Sequence, residues 1–135
     1  MKKLLLVTTL SILFSSFHVT AKAPSPIISQ CDAQELEKKA YSQCLDLVKI
    51  KIDRELETWE NNQLFILEDV AEKTGRQSAL NMFKRGQKHF TAYRDSNCKW
   101  QFLAELPSND SAPVYKECYI LTTKDRIKEL SRISK

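Results

Sequence analysis

The chain has 135 residues, with two glycines, four prolines, four cysteines, and 21 basic against 17 acidic residues. This length suits a single domain. Neither the G-x-G-x-x-G dinucleotide fingerprint nor the P-loop spacing occurs in it, so these two nucleotide-binding classes are excluded. Few glycines and prolines, together with many Leu, Lys and Glu residues, favour helix.

Residues 1–23 have the features of a secretory signal peptide. Lys2 and Lys3 precede a mostly apolar run over residues 4–17, and an A-x-A cleavage site follows at residues 21–23. The run is shorter than the roughly 20 residues of a membrane-spanning helix, which favours cleavage over a retained anchor. No cysteine stands at the end of the run for lipidation. The sequence therefore predicts a periplasmic or secreted protein without a stable membrane anchor.

Loss of the signal segment changes the charge balance. It removes three lysines and no acid, which leaves 18 basic and 17 acidic residues and lowers the net charge from +4 to +1. A nucleic-acid-binding protein would keep a basic excess, so no nucleic-acid partner is expected. Residues 31–72 carry a net charge of −6 and residues 73–103 one of +6. This asymmetry favours antiparallel helices of complementary charge, with an acidic face for a cationic partner as the alternative.

The first part of the mature chain predicts a long helix after a short extended leader at residues 24–30. No proline or glycine interrupts the chain between Ile27 and Thr74. Asn61 and Asn62 are poor helix formers and predict a kink or break. Apolar residues recur at helical steps and predict a helix from Leu36 to Glu72, with Gln63 at the one position where the apolar pattern has a gap. The apolar residues of this pattern are Tyr41, Leu45, Val48, Ile52, Leu56, Trp59, Ile66 and Val70.

The remainder predicts two more helical segments. One runs from Ser78 to Glu105, and its Gly86 predicts a close approach to a neighbouring helix. After a loop over residues 107–113, the next begins at Ser111 or Ala112 with Pro113 in its first turn, and Thr122 or Thr123 caps or bends it. No strand pattern occurs, so residues 31–135 predict one all-α domain, a small bundle of three to four helices. The apolar stripe predicted for the helix from Ser78 is Ala79, Phe83, Gly86, Phe90, Tyr93 and Trp100.

Four cysteines in a short exported chain predict two disulfides rather than a zinc site or a catalytic thiol. The favoured bridge joins Cys98 to Cys118, because both lie one to three turns from the loop of a helical hairpin. Cys31 then pairs with Cys44. This second bridge requires the chain after Cys31 to be non-helical, because thirteen residues of helix would hold the two cysteines about 19 Å apart.

The mature sequence offers little catalytic or metal-binding chemistry. His89 is its only histidine, and its neighbours indicate a position on a helix surface. Glu57 and Glu60 share a helix face, but a glycosidase pair needs one carboxyl with a raised pKa in a pocket. We therefore expect no catalytic residue, no cofactor, no metal site and no enzyme activity.

One segment, from Gln87 to Cys98, resembles the Q-x-x-W-x-x-Y-R-D-x-x-C segment of the LprI-like lysozyme inhibitor family. The segment from Cys118 to Leu130 resembles that family's C-x-x-L-T-x-x-R-x-x-E-L ending, with a small difference in spacing before Arg126. Asp53 to Leu56 resembles its D-x-x-L-N segment, and Cys31 and Cys44 stand where its first cysteine pair stands. The family-motif residues are Gln87, Phe90, Tyr93, Arg94, Asp95, Thr122, Arg126 and Leu130.

The resemblance implies a helical envelope protein with disulfides, similar to the soluble periplasmic members of the family, some of which inhibit lysozyme. It also implies structural roles for the motif residues. Phe90 and Tyr93 are expected to pack in the core, and Arg94 to pair with a carboxylate or a helix end. Asp95 is expected to be exposed, and Arg126 and Thr122 to have structural roles, with the threonine as a cap.

The expected partner is therefore a protein, and the expected target is lysozyme. Animal lysozymes are cationic and carry two acidic groups in a cleft, which an inhibitor can occlude with a loop. The loop before Pro113 is the candidate, with Asn109 and Asp110 at its tip. The alternative function is a non-catalytic envelope interaction module or a toxin-neutralising, immunity-type protein. The oligomeric state is left open by the sequence.

Overall fold

The part of the chain that the structure describes, residues 26–31 and 36–133 of a computed structural model, consists of helices and short connections. No strand occurs among these residues, which confirms the all-α fold class. The predicted signal peptide and its cleavage site lie outside the described residues. The helices are α1 (Pro26–Ser29), α2 (Lys38–Thr74), α3 (Ser78–Ala104) and α4 (Ser111–Ile133).

Helix α2 is continuous over 37 residues, about 55 Å. It ends at Gly75, whose φ of 70° is left-handed and whose N–H donates to the Ala71 carbonyl at 2.9 Å. The helix has no break at Asn61 and Asn62, where a kink or break was predicted. Both side chains are exposed, and an exposed asparagine costs an α-helix only roughly 0.5 kcal/mol. That cost is too small to break a helix packed along one side.

Helix α4 begins at Ser111 with Pro113 in its first turn, as predicted. It then passes through Thr122 and Thr123 without a break, so the predicted cap there is wrong. The Thr123 hydroxyl instead donates to the Tyr119 carbonyl one turn earlier, at 2.7 Å. Because this bond stays within the helix, the threonine leaves α4 unbroken, although a bond of this kind often bends a helix.

Helix α4 packs against both α2 and α3, while α2 and α3 contact each other less. The three helices alternate in direction, so α4 runs parallel to α2. Its apolar side chains complete a core that α2 begins and that Phe83 and Phe90 of α3 flank. The buried residues of this core are Ile28, Cys31, Tyr41, Leu45, Val48, Ile52, Leu56, Ile120, Ile127 and Leu130.

The apolar stripe predicted for α3 is only partly buried. Phe83 and Phe90 pack against the core, but Tyr93 and Trp100 are 61% and 59% exposed. The expectation that Tyr93 packs in the core is therefore wrong. The close approach predicted at Gly86 is also absent, since a Cβ there would meet nothing within 4 Å. The other helices cover only one side of α3, and Tyr93 lies outside that side.

Both predicted disulfides are present. Cys31 and Cys44 are bonded with a Cα–Cα distance of 5.8 Å, and Cys98 and Cys118 with one of 5.5 Å. Cys31 precedes α2 rather than lying within it, as the Cys31–Cys44 pairing requires. The leader predicted as extended includes the helical turn α1, which buries Ile28 against α2. Burial of one apolar side chain and the nearby disulfide hold this turn in place.

Part of the uneven charge is compensated by ion pairs between the helices. Acidic side chains of α2 pair with basic side chains of the two helices beside it, which confirms the interpretation of complementary charges. These pairs are Glu68 with Lys84, Asp53 with Arg94, Asp46 with Lys116 and Glu55 with Lys124.

Candidate functional site

The family-motif residues of α3 and α4 meet in a polar network where α2, α3 and α4 come together. Arg94 lies at its centre and is buried. Helical spacing explains its position, because Arg94 comes four residues before Cys98 and seven after Gln87, on the face of α3 that carries the disulfide. The sequence analysis placed aromatic side chains there, and the structure places an arginine.

Arg94 is neutralised and hydrogen-bonded by its surroundings. Its Nη1 lies 3.9 Å from the Asp53 carboxylate and donates to the Thr123 hydroxyl at 3.2 Å, and its Nε donates to Asp95 at 3.4 Å. The guanidinium carbon lies 3.8 Å from the centre of the Tyr119 ring, a cation–π geometry. The expectation that Arg94 pairs with a carboxylate is confirmed, and so is the exposure of Asp95.

Tyr119 joins Asp53 to this network from α4. Its hydroxyl donates to the Asp53 carboxylate at 2.9 Å, and Lys49 lies 4.0 Å from the centre of its ring. Burial raises the pKa of Tyr119, and the bond to Asp53 raises it further. The phenol therefore stays protonated and acts as a donor at physiological pH. Sequence reasoning missed Tyr119 and Thr123, although both follow Cys118 on α4 within two turns.

A second chain of contacts joins Glu60, Gln87 and Arg126. The Gln87 amide donates to Glu60, and Arg126 donates to the Gln87 carbonyl oxygen. Arg126 also pairs with Glu129 at 2.6 Å. Burial raises the pKa of Glu60, although Arg126 and Arg94 act in the opposite direction. Glu60 is therefore part of a half-buried network that joins α2, α3 and α4.

The remaining motif residues lie at the core and at the surface. Leu130 is fully buried. A groove of about 390 Å³ opens between α3 and α4 beside Phe90 and Tyr93. Thr122 lines this groove as well and is not a helix cap. The other side chains that line it are Asp125, Arg126, Glu129 and Arg132.

The predicted loop tip lies at the other end of the bundle, against the start of α2. Asn109 is exposed. The Asp110 carboxylate pairs with Lys38 at 2.7 Å and accepts from the Ser108 hydroxyl at 3.1 Å. The hydrogen bond from Lys38, and then that from Ser108, lowers the pKa of Asp110. The tip is therefore tied down by Asp110, while Asn109 remains available.

A groove of about 480 Å³ lies beside this loop. Asn109 forms part of its wall, together with the first turns of α2. The side chains that line it are Lys38, Lys39, Ser42, Gln43, Asn109, Ala112 and Pro113.

Other kinds of site were sought in the same residues. Over residues 26–31 and 36–133, no cluster of three or more His, Cys, Asp and Glu side chains is arranged to hold a metal ion. No described helix is long and apolar enough to cross a membrane. His89 is exposed on α3, as its neighbours in the sequence indicated.

The comparisons with known proteins agree with the resemblance seen in the motifs. The model of the family described as lysozyme inhibitor LprI matches residues 31–130. This range includes both disulfides and the polar network around Arg94. No curated protein and no solved structure matches the chain.

Proposed function

The chain belongs to the LprI lysozyme inhibitor family, and from this membership we propose that it binds lysozyme and inhibits it. The observation that carries the proposal is the family match over residues 31–130. The signal peptide predicted from residues 1–23 is consistent with this function, because cell-wall lytic enzymes act outside the cytoplasm. The protein acts by occupying its target rather than by catalysis.

The loop end with Asn109 and Asp110 is the proposed contact with the enzyme. Animal lysozymes carry two carboxyl groups in their cleft, and these groups repel an unpaired carboxylate of an inhibitor. Lys38 neutralises Asp110 here, and the Asn109 amide is free to donate hydrogen bonds to acidic groups. Ser108 and Lys38 hold the tip in place before binding, which lowers the entropy lost on association.

The other route considered, an acidic face on α2, is less favourable. Many carboxylates of α2 are already paired with cations of the bundle, and a paired carboxylate attracts a cationic enzyme less strongly. The paired residues of α2 are Asp46, Asp53, Glu55, Glu68 and Asp69.

The test is a titration against lysozyme on a cell-wall substrate. Every described helix and both disulfides lie within residues 26–133, so oxidised protein lacking residues 1–23 is used. Lysozymes of the c, g and i types are titrated in parallel. We expect stoichiometric inhibition of one type, and loss of that inhibition when the disulfides are reduced. No inhibition of any type at micromolar protein would refute the proposal and favour an interaction module with another partner.

Loop variants locate the contact. Replacing Asn109 and Asp110 together with glycine is expected to abolish inhibition, and Asn109→Ala alone to weaken it by about tenfold or more, as for a contact near the centre of an interface. The matched control is Asn61→Ala with Asn62→Ala, two exposed positions on α2. Circular dichroism checks that each variant folds. An unchanged inhibition constant in the glycine variant would dismiss the loop and leave the family assignment standing.

A further inference from the structure

The outer side of α3 carries a row of exposed apolar and aromatic side chains. Met82, Tyr93, Trp100 and Leu103 are each more than half exposed. They follow one another at spacings of eleven, seven and three residues, which keeps them on one side of a helix. From first to last the row is about 32 Å long. We call this row, with the basic residues beside it, the α3 outer face.

Three cations flank the row. Arg85, Lys88 and Lys99 are exposed, and none has an ion-pair partner within the described residues. The other two basic residues of α3 are in ion pairs, Lys84 with Glu68 and Arg94 with Asp53. The three flanking cations lie at spacings of three and eleven residues, so they also share one side of the helix. The uncompensated positive charge of α3 is therefore concentrated next to its exposed aromatic residues.

Few other charges face this surface. Asp95 is the only acidic residue of α3, and Arg94 donates to its carboxylate at 3.4 Å. His89 is exposed between Arg85 and Tyr93 and adds positive charge when protonated. The opposite side of α3 carries Cys98 and faces α4. The α3 outer face is thus basic, and its side chains are exposed in the described chain.

We infer that the α3 outer face binds an anionic phospholipid surface. A straight helix with Trp, Tyr, Met and Leu in a row and Lys and Arg beside them has the composition of an interfacial helix. Trp and Tyr favour the boundary between headgroups and acyl chains. A flat bilayer accommodates an exposed row without a preformed groove. A cationic lysozyme is a poor occupant, because like charges repel, so this surface is separate from the proposed inhibitory loop.

The strength of the interaction depends on the cations. Each basic side chain near an anionic membrane surface strengthens binding about fivefold, so loss of two should weaken it about 25-fold. Added salt should weaken it too, since screening shortens the reach of the charges. The apolar row alone is too sparse for stable insertion.

Tryptophan fluorescence provides a direct test. The described chain has two tryptophans, half-buried Trp59 and exposed Trp100, so a Trp59→Phe variant leaves Trp100 as the sole probe. Protein lacking residues 1–23 is titrated with vesicles of phosphatidylglycerol and phosphatidylcholine, and with vesicles of phosphatidylcholine alone. We expect a blue shift of Trp100 emission with the anionic vesicles only. The Lys88→Glu, Lys99→Glu double variant should not show this blue shift.

Matched controls distinguish vesicle binding by the α3 outer face from nonspecific binding by other exposed apolar residues. Leu47 and Phe65 are exposed apolar residues of α2, and Leu47→Ser with Phe65→Ser should leave vesicle binding unchanged. Circular dichroism verifies folding, and sedimentation velocity gives the oligomeric state. Equal binding to neutral vesicles, or binding that survives the double charge reversal, would overturn the inference. So would dimerisation that buries Trp100, because a second copy would then cover the face.

Discussion

At the scale of single residues, Arg94 occupies a position that an apolar side chain would fill in a simpler bundle. A buried guanidinium is tolerated only when its charge and donors are satisfied. Asp53, Thr123 and the Tyr119 ring do this from two other helices. Removing one partner from such a buried group is costly, because the other charge is left unpaired. The arginine therefore ties the three long helices to one arrangement.

At Glu60, burial outweighs the contacts that favour the charged carboxylate. Burial raises its pKa, and Arg126, Arg94 and Gln87 only partly offset this. The folded protein therefore holds a proton on Glu60 more strongly than the unfolded chain does. The resulting contribution to stability is present at low pH and is lost as the pH rises through the folded-state pKa.

We predict that Glu60→Gln removes this pH dependence. Between about pH 4 and about pH 8, the free energy of unfolding of the wild type should fall relative to that of the variant, by about 1 kcal/mol or less because the site is only half-buried. Urea unfolding at several pH values measures the difference. Glu72→Gln, at an exposed position of the same helix, is the control. A difference that stayed constant with pH would contradict the prediction.

At the scale of elements, the two glycines have opposite roles. Gly75 ends α2 in a left-handed conformation with φ of 70°, which other residues adopt only at a cost of about 1 kcal/mol or more. Gly86 lies inside α3 with ordinary helical backbone and open space around it. The first glycine is required by the backbone, and the second weakens the helix that contains it.

The two glycines provide a paired prediction. Gly86→Ala should raise the free energy of unfolding by about 1 kcal/mol, the difference in helix propensity. Gly75→Ala should lower it by about 1 kcal/mol, because alanine is strained at positive φ. Thermal and urea unfolding of the two variants beside the wild type measure both changes. Destabilisation by Gly86→Ala would mean that something packs against α3 at this point.

At the scale of the whole molecule, disulfides stabilise some contacts between segments and noncovalent contacts stabilise the others. Cys31–Cys44 fixes the segment that contains α1, and Cys98–Cys118 fixes α3 to α4. No disulfide joins α2 to α4. That interface is held by the apolar core and by polar contacts such as Tyr41 with Glu117, at 2.6 Å. The family match over residues 31–130 includes all four cysteines and the contact of α2 with α4, but not α1.

We predict that Cys98→Ala with Cys118→Ala lowers the free energy of unfolding by about 3 kcal/mol. The bridge closes a loop with a sequence separation of 20 residues, and the chain-entropy estimate for a loop of this size is about that value. Helicity at room temperature should remain, because the core and the Arg94 network are intact. Urea unfolding followed by circular dichroism gives the result. A midpoint equal to that of the wild type would show that the bridge does not stabilise the fold.

The fold was predictable because its signals are local. Apolar spacing gave α2 within two residues at each end, Pro113 marked the first turn of α4, and loop position indicated the Cys98–Cys118 bridge. The errors occurred where a local signal competes with packing. Thr122 and Thr123 were expected to interrupt α4, and Tyr93 to be buried. The Thr123 hydroxyl bonds within the helix instead of capping it. The exposure of Tyr93 depends on which side of α3 the other helices cover, which spacing along one helix does not specify.

The sequence by itself determined the all-α fold class, the three long helices and the family, and it favoured the two disulfide pairings. These follow from apolar spacing, composition, loop position and motifs along the chain. The tertiary structure decided which side of α3 is buried and brought Asp53, Arg94 and Tyr119 together from three helices. It also left Trp100 and its neighbouring cations uncovered. The physical reason is that burial and charge pairing depend on contacts between distant segments, and these exist only once the helices have packed.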